Sequence, residues 1–202
     1  MRILIISIIA ALVILSANTT QAQNKYDYLI SIHTDFGDMK LLLFDDTPIH
    51  KANFLKLAQS GQYDSTVFHR VIKNFMIQGG FIKHQDQVAW DSLSYKERTL
   101  PNEIMDRHKH VHGALAAARI EDPEKRSDIS QFYIVQNHKG SHFLDNKYTV
   151  FGQLIIGFEV LDKIVNQKLN GASPIKPTYM KVKVDKVKRK DIIKFYGSVY
   201  KK

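Results

Sequence analysis

Phe68-His69-Arg70-Val71-Ile72-Lys73-Asn74-Phe75-Met76-Ile77-Gln78-Gly79-Gly80 sets one arginine and one glutamine in a run dominated by aromatic and aliphatic residues. Alternation reads it as two short strands around a Lys73-Asn74 turn. Phe68, Arg70 and Ile72 then share one face of the first strand. Phe75, Ile77 and Gly79 share one face of the second, with Met76 and Gln78 opposite. An arginine between Phe68 and Ile72 is costly to desolvate without partners, and Gln78 is a candidate partner. The alternative is a surface arginine whose stem covers an apolar strand. His69 points to the other face and reads as a structural hydrogen-bonding residue.

Upstream, Leu29-Ile30-Ser31-Ile32-His33 and Met39-Lys40-Leu41-Leu42-Leu43-Phe44 flank Asp35-Phe36-Gly37-Asp38, a hairpin with a glycine turn. Thr47-Pro48 predicts a helix start, with Thr as N-cap and Pro at the first helical position, and Gly61 supplies its left-handed end. Ile49, Ala52, Leu55 and Ala58 are its predicted core face. A second helix is predicted over 158–167, where Val160, Leu161, Ile164 and Val165 recur at helical spacing. Everything else reads as short strands, apart from a long loop over 84–101 that contains no glycine. Many strands, two helices and no βαβ alternation predict an all-β barrel or sandwich with helical plugs.

Residues 1–22 combine a basic start, an apolar stretch over 3–15 and a Thr20-Gln21-Ala22 ending, the three parts of a secretory signal peptide cut after Ala22. That apolar stretch is shorter than the roughly 20 residues of a spanning helix. The remainder suits one domain over 23–190 and a basic, aromatic extension over 191–202. The formal charge of +9 is uneven, with nine Lys+Arg against two Asp+Glu between Lys181 and Lys202. Residues 180–188 alternate as a half-buried strand with a basic outer face. The extension reads as a solvated tail, as a helix packed on the body, or as a contact for an acidic surface or nucleic acid. Without cysteine, the chain has no disulfide, thiolate nucleophile or zinc-thiolate site. His108, His110 and His112 alternate in an extended segment, a spacing that suits a metal, but no carboxylate-histidine helix motif accompanies them. They read as a solvated face, and no metal site is expected.

Three further blocks follow the central run in order. They are Gly113-Ala114-Leu115-Ala116-Ala117-Ala118-Arg119, Ser130-Gln131-Phe132-Tyr133-Ile134-Val135 and Phe143-Leu144-Asp145-Asn146-Lys147-Tyr148-Thr149-Val150-Phe151-Gly152. With Phe54-Leu55-Lys56-Leu57-Ala58 and Glu159-Val160-Leu161-Asp162-Lys163-Ile164, they resemble the cyclophilin family of peptidyl-prolyl cis-trans isomerases, as an exported, bacterial-like member. The resemblance runs from about residue 28 to about residue 187. It implies a closed eight-stranded antiparallel barrel capped by two α-helices, with a substrate groove outside. It implies no cofactor and a role for Arg70 in donating a hydrogen bond to the prolyl nitrogen, with Gln78 positioning it. Phe75, Met76, Tyr133 and Leu144 would wall the proline pocket. Ala118, Arg119 and Gln131 would line the peptide groove, with Phe143 and Tyr148 at its rim. Three positions depart from many members: Tyr133 replaces phenylalanine, Phe143 replaces the tryptophan of cyclosporin-sensitive members, and Tyr148 replaces histidine.

The partners implied are proline-containing polypeptides, met by a monomer that is periplasmic or secreted. The same groove would serve a weakly catalytic peptide-binding chaperone or assembly module, which only turnover separates from an isomerase. A nucleic-acid binder acting through the tail would show strong salt dependence without dependence on Arg70. N-terminal sequencing of the exported protein is expected to begin at Gln23; intact Met1 on soluble cytoplasmic protein would refute the leader.

Overall fold

The computed structural model describes residues 25–83 and 87–197, so the leader and its cut lie outside the described residues. In chain order the strands are β1 Tyr26–Thr34, β2 Gly37–Leu43, β3 Phe68–Ile72, β4 Met76–Gly79, β5 Thr99–Leu100, β6 Ala114–Ala117, β7 Ser127–Asp128, β8 Phe132–Val135, β9 Val150–Ile156, β10 Leu169–Asn170, β11 Ser173–Pro174 and β12 Lys181–Lys188. The helices are α1 Pro48–Gln59, α2 Gln87–Ser92, α3 Phe158–Val165 and α4 Arg189–Tyr196. Eight strands form one antiparallel sheet in the order β12-β1-β2-β9-β6-β8-β4-β3.

The sheet curls into a half-barrel, not the closed barrel expected. Its edges β3 and β12 share no ladder and meet at one antiparallel bridge between Val67 and Tyr179. Past that bridge the edge groups find other partners. Val71 N–H donates to the Ala172 carbonyl at 2.7 Å, and Val182 N–H donates to the Asp64 carboxylate at 3.0 Å. Loop and side-chain partners thus take edge groups that a continued ladder would have used.

Inside the curl, Leu41, Ile77, Leu115, Phe132, Ile134 and Leu154 from the sheet pack with Phe54 of α1 and Leu161 and Ile164 of α3. Full burial of one such side chain is worth about 1.5–3 kcal/mol, so this cluster dominates the stability of the body. The helix α3 presents the predicted Val160, Leu161, Ile164 and Val165 to it.

Two predicted faces are corrected. Phe68 pairs with Gly79 while Arg70 pairs with Gln78, so His69 is an extra, bulged residue. The bulge reverses the alternation: Phe68 joins Val71 and Ile77 in the core, and Arg70 stays outside and exposed. Phe75 belongs to the turn, where Asn74 has φ +58, and it escapes the inward face of Ile77. Gly80 then has no alternative residue, because at φ +77 a Cβ would lie 2.8 Å from both the Phe132 ring and the Ser130 carbonyl.

In α1 the core face is His50, Phe54, Leu57 and Ala58, while Ile49 is exposed. The reason is that His50 is a satisfied buried polar residue: Nδ1 meets Glu103 at 2.7 Å and Nε2 meets Ser127 at 2.9 Å. Thr47 makes no side-chain cap. Glu103 caps instead, accepting the N–H groups of Ile49 and His50 at 2.9 Å each, where the helix dipole favours a carboxylate. The far end closes as predicted at Gly61, φ +71, with Gln62 N–H on Leu57 and Gly61 N–H on Ala58.

One helix among the described residues was not predicted, α2, within the 84–101 stretch that reads as loop in the sequence. The last helix, α4, crosses the 190/191 boundary and matches the packed-helix reading of the extension. Its Ile192 is buried, and Arg189 reaches Asp27 at 3.3 Å beside Lys51, whose Nζ sits 2.7 Å from both Asp27 and Asp45. Partial burial alone would raise the Asp45 pKa, yet Lys51 and Arg189 hold it below its ordinary value.

Burial lowers the His50 pKa below its ordinary 6.5, outweighing the opposite pull of Glu103. The unfolded chain therefore takes up the proton first. The stability involved is complete above 6.5 and is lost as pH falls towards the lowered folded value. Urea unfolding at pH 7 and pH 5 is expected to show this loss, and His50→Gln to reduce it; an unchanged slope in the variant would assign it to other histidines.

Candidate active site

Strands β6 and β8 are apolar on both faces, and β4 is apolar apart from the outward Gln78. Ile77, Leu115, Ala117, Phe132 and Ile134 point into the core, and Met76, Ala114, Ala116, Ala118, Tyr133 and Val135 form a second cluster outside. Period-two alternation makes this division. Because three of the outer positions are alanine, the outer layer is thin over β6, and Phe75, Leu144 and Tyr148 pack around its margin. The result is an open pocket of about 100 Å³ lined by Arg70, Phe75, Met76, Gln78, Ala118, Arg119, Tyr133, Leu144 and Tyr148.

Nine of the eleven residues picked from the sequence thus share one depression. Of the other two, Phe143 is exposed and packs its ring 5.4 Å from that of Phe75, and Gln131 stands behind Gln78. Arg119 lies 4.6 Å from the centre of the Tyr148 ring and donates through Nε to the Lys147 carbonyl at 3.1 Å, which fixes that side of the rim.

A directed hydrogen-bond chain supports Arg70. Its Nη1 donates to Gln78 Oε1 at 3.3 Å, Gln78 Nε2 donates to Gln131 Oε1 at 3.2 Å, and Gln131 Nε2 donates to Asp128 Oδ2 at 2.9 Å. Since a carboxylate only accepts, Asp128 sets the orientation of both amides and turns the Gln78 oxygen towards the guanidinium. Asp128 was missed from the sequence. Its signal was local: Oδ1 accepts the N–H groups of Ser130 and Gln131 at 2.8 Å each, the turn favoured by an aspartate two residues before.

A second chain lies under the pocket floor. The buried Tyr133 hydroxyl meets His110 Nε2 at 2.9 Å, and His110 Nδ1 meets Asp145 Oδ1 at 2.9 Å. Burial by itself would raise the Asp145 pKa, but N–H groups of His110 and His142 hold it low, so it accepts and Nδ1 donates. His110, whose pKa is lowered by burial, then accepts at Nε2 the hydrogen bond that the Tyr133 hydroxyl donates. The hydroxyl that sets this chain apart from members with phenylalanine thereby has its partner.

His108, His110 and His112 do not come together in one site, and they do not form a solvated face. His108 is buried, stacks 4.1 Å from Phe44 and meets Asp46 at 2.8 Å. His110 serves Tyr133, and His112 stacks on His138. His108 and His110 meet carboxylates on different segments, Asp46 and Asp145, which the spacing alone does not reveal.

Residues 29–188 match the family model of the cyclophilin type peptidyl-prolyl cis-trans isomerases. A peptidyl-prolyl cis-trans isomerase of Arabidopsis thaliana is 42% identical over 135 residues, covering 66% of this chain and 79% of its own length. Peptidyl-prolyl cis-trans isomerase B of Escherichia coli is 35% identical over 144 residues, covering 67% and 83%. The crystal structure of a Cryptosporidium parvum cyclophilin type isomerase, solved in the presence of the dipeptide Ala-Pro, superposes with a TM-score of 0.66 at 32% identity, over 78% of this chain and 98% of that one.

Replacing Tyr133 by phenylalanine leaves His110 Nε2 buried without its partner. Tyr133→Phe is expected to lose about 1–3 kcal/mol of stability in urea while the pocket keeps its shape. Equal unfolding midpoints for the two proteins would show that the hydroxyl contributes nothing.

Proposed function

This chain belongs to the cyclophilin-type peptidyl-prolyl cis-trans isomerases, and we propose that its outer pocket receives the proline ring of an X-Pro segment while Arg70 binds the prolyl nitrogen of the twisted transition state. Rotation about an X-Pro bond is slow because amide resonance imposes a barrier of roughly 18–20 kcal/mol. In the twisted form the nitrogen loses conjugation and gains a lone pair. A donor aimed there binds the transition state better than either planar ground state, which is what accelerates the reaction. No bond is made or broken, so no nucleophile, metal or cofactor is required.

The observation that carries this reading is the Arg70–Gln78–Gln131–Asp128 chain at the mouth of an apolar pocket. It fixes a cation beside a cavity suited to a small ring. Phe75, Met76, Tyr133 and Leu144 offer that ring an apolar wall, and the Ala118, Arg119 and Gln131 side offers a path for flanking peptide. That the Cryptosporidium parvum relative was crystallised with Ala-Pro supports the same ligand class here. Arg70 is exposed in the free protein, so docking peptide would exclude water from its guanidinium and strengthen its field. We propose further that the clients are proline-containing polypeptides met by a monomer after export. The exposed Lys186, Lys190 and Lys194 would add attraction to acidic surfaces, whereas Arg189 is already engaged by Asp27 and Asp45.

Isomerisation of a short X-Pro peptide should be followed for wild type and Arg70→Ala, without added metal. The variant is expected to remain folded and to lose about 100-fold to 1,000-fold in turnover. Equal turnover would sink the arginine mechanism, and peptide binding with no turnover in either protein would favour the binding-module reading.

A further inference from the structure

We propose that His112, His138 and Asp162 form a binding site for a zinc-class divalent transition-metal ion, outside the proline pocket, with water completing the coordination. One ligand atom from each residue lies within 4.8 Å of the others. His138 Nε2 is 3.3 Å from Asp162 Oδ1, which matches the separation of two ligands around a tetrahedral ion with bonds of about 2.0–2.2 Å. A hydrogen bond explains that pair alone. It leaves His112 Nε2 unexplained, because that nitrogen is buried and has no hydrogen-bond partner among the described residues. A buried nitrogen without a partner is costly, and a cation between the three groups would use its lone pair.

The three ligands come from elements held in place. His112 precedes Gly113, where φ is +79 and an added Cβ would lie 2.7 Å from both the Phe158 ring and the Gln153 amide, so no side chain is admitted. Its carbonyl accepts Gln153 Nε2 at 2.9 Å, and its ring packs between His138, at 4.2 Å, and Phe158, at 4.9 Å. Asp162 projects from α3, and Gln136 Nε2 donates to its Oδ1 at 2.8 Å, fixing the carboxylate. Gln136 is fixed in turn by Asn74, whose N–H it accepts at 2.9 Å. His138 is the exposed member, whose side chain can shift to draw the three ligand atoms together. Two imidazoles and one carboxylate suit zinc, nickel or copper; magnesium and calcium prefer oxygen ligands throughout.

The probe is Zn²⁺ titrated calorimetrically into chelator-stripped protein, with thermal unfolding followed in parallel. The expected result is one equivalent bound and a raised unfolding temperature, with no response to Mg²⁺. His138→Ala and Asp162→Asn should each weaken zinc by more than about 100-fold, and Gln136→Ala by about 10-fold to 100-fold. His33→Ala, at a histidine paired with Asp38 elsewhere, serves as the control and should leave affinity unchanged. Co²⁺ substituted for Zn²⁺ should give the visible absorption of a tetrahedral site, lost in His138→Ala. Absence of saturable binding, equal affinity in wild type and His138→Ala, or an equal loss in His33→Ala would overturn the site.

Discussion

Where the middle strands of a sheet are apolar on both faces, both must be covered, and most of this structure follows from that requirement. The inner faces of β4, β6 and β8 are covered by large side chains and by α1 and α3. The outer faces carry Ala114, Ala116 and Ala118, too small to cover themselves, and the loops that bring Phe75, Leu144 and Tyr148 cover only their margins. What stays uncovered is the pocket. Its apolar character is therefore a by-product of strands that had to be hydrophobic on both sides, and its shallowness comes from alanine.

Polar groups placed against such a surface need partners, and here each line of partners ends in an aspartate. Asp128 terminates the amide chain behind Arg70, and Asp145 terminates the imidazole chain behind Tyr133. Since carboxylates accept and never donate when ionised, each chain has one direction only. Side chains that could rotate freely in isolation are held in one orientation from behind. The same economy appears at α1, where Glu103 satisfies two helix N–H groups and the ring of His50 at once.

The sequence revealed elements well wherever they were governed by local periodicity. The hairpin, both ends of α1, the buried stripe of α3 and the half-buried alternation of β12 all follow from spacing and from glycine. The ordered blocks also marked the pocket residues, nine of which meet. It failed where one long-range contact outweighed the local pattern. The bulge at His69 is set by how β3 pairs with β4, and it turned Phe68 inward. His50 entered the core because Glu103 and Ser127, over 50 residues away, satisfied it. The alternating histidines looked solvated because the carboxylates that meet His108 and His110 stand on separate, distant segments of the chain. Closure of the barrel depended on what β3 and β12 found at their edges, which no pattern within either strand expresses.

The pairing of β1 with β12 runs from Tyr26 against Lys188 to His33 against Lys181, so the first strand and the last strand are neighbours. Arg189, Lys51, Asp27 and Asp45 lock the same seam from the side. A chain made or threaded from its N-terminus exposes β1 early and completes it last. Until residue 188 is available, one edge of β1 is an open row of backbone donors and acceptors, able to pair with any extended segment. The topology thus gives the newborn molecule an interval of stickiness that the finished one lacks, and that interval ends only when β12 has been made.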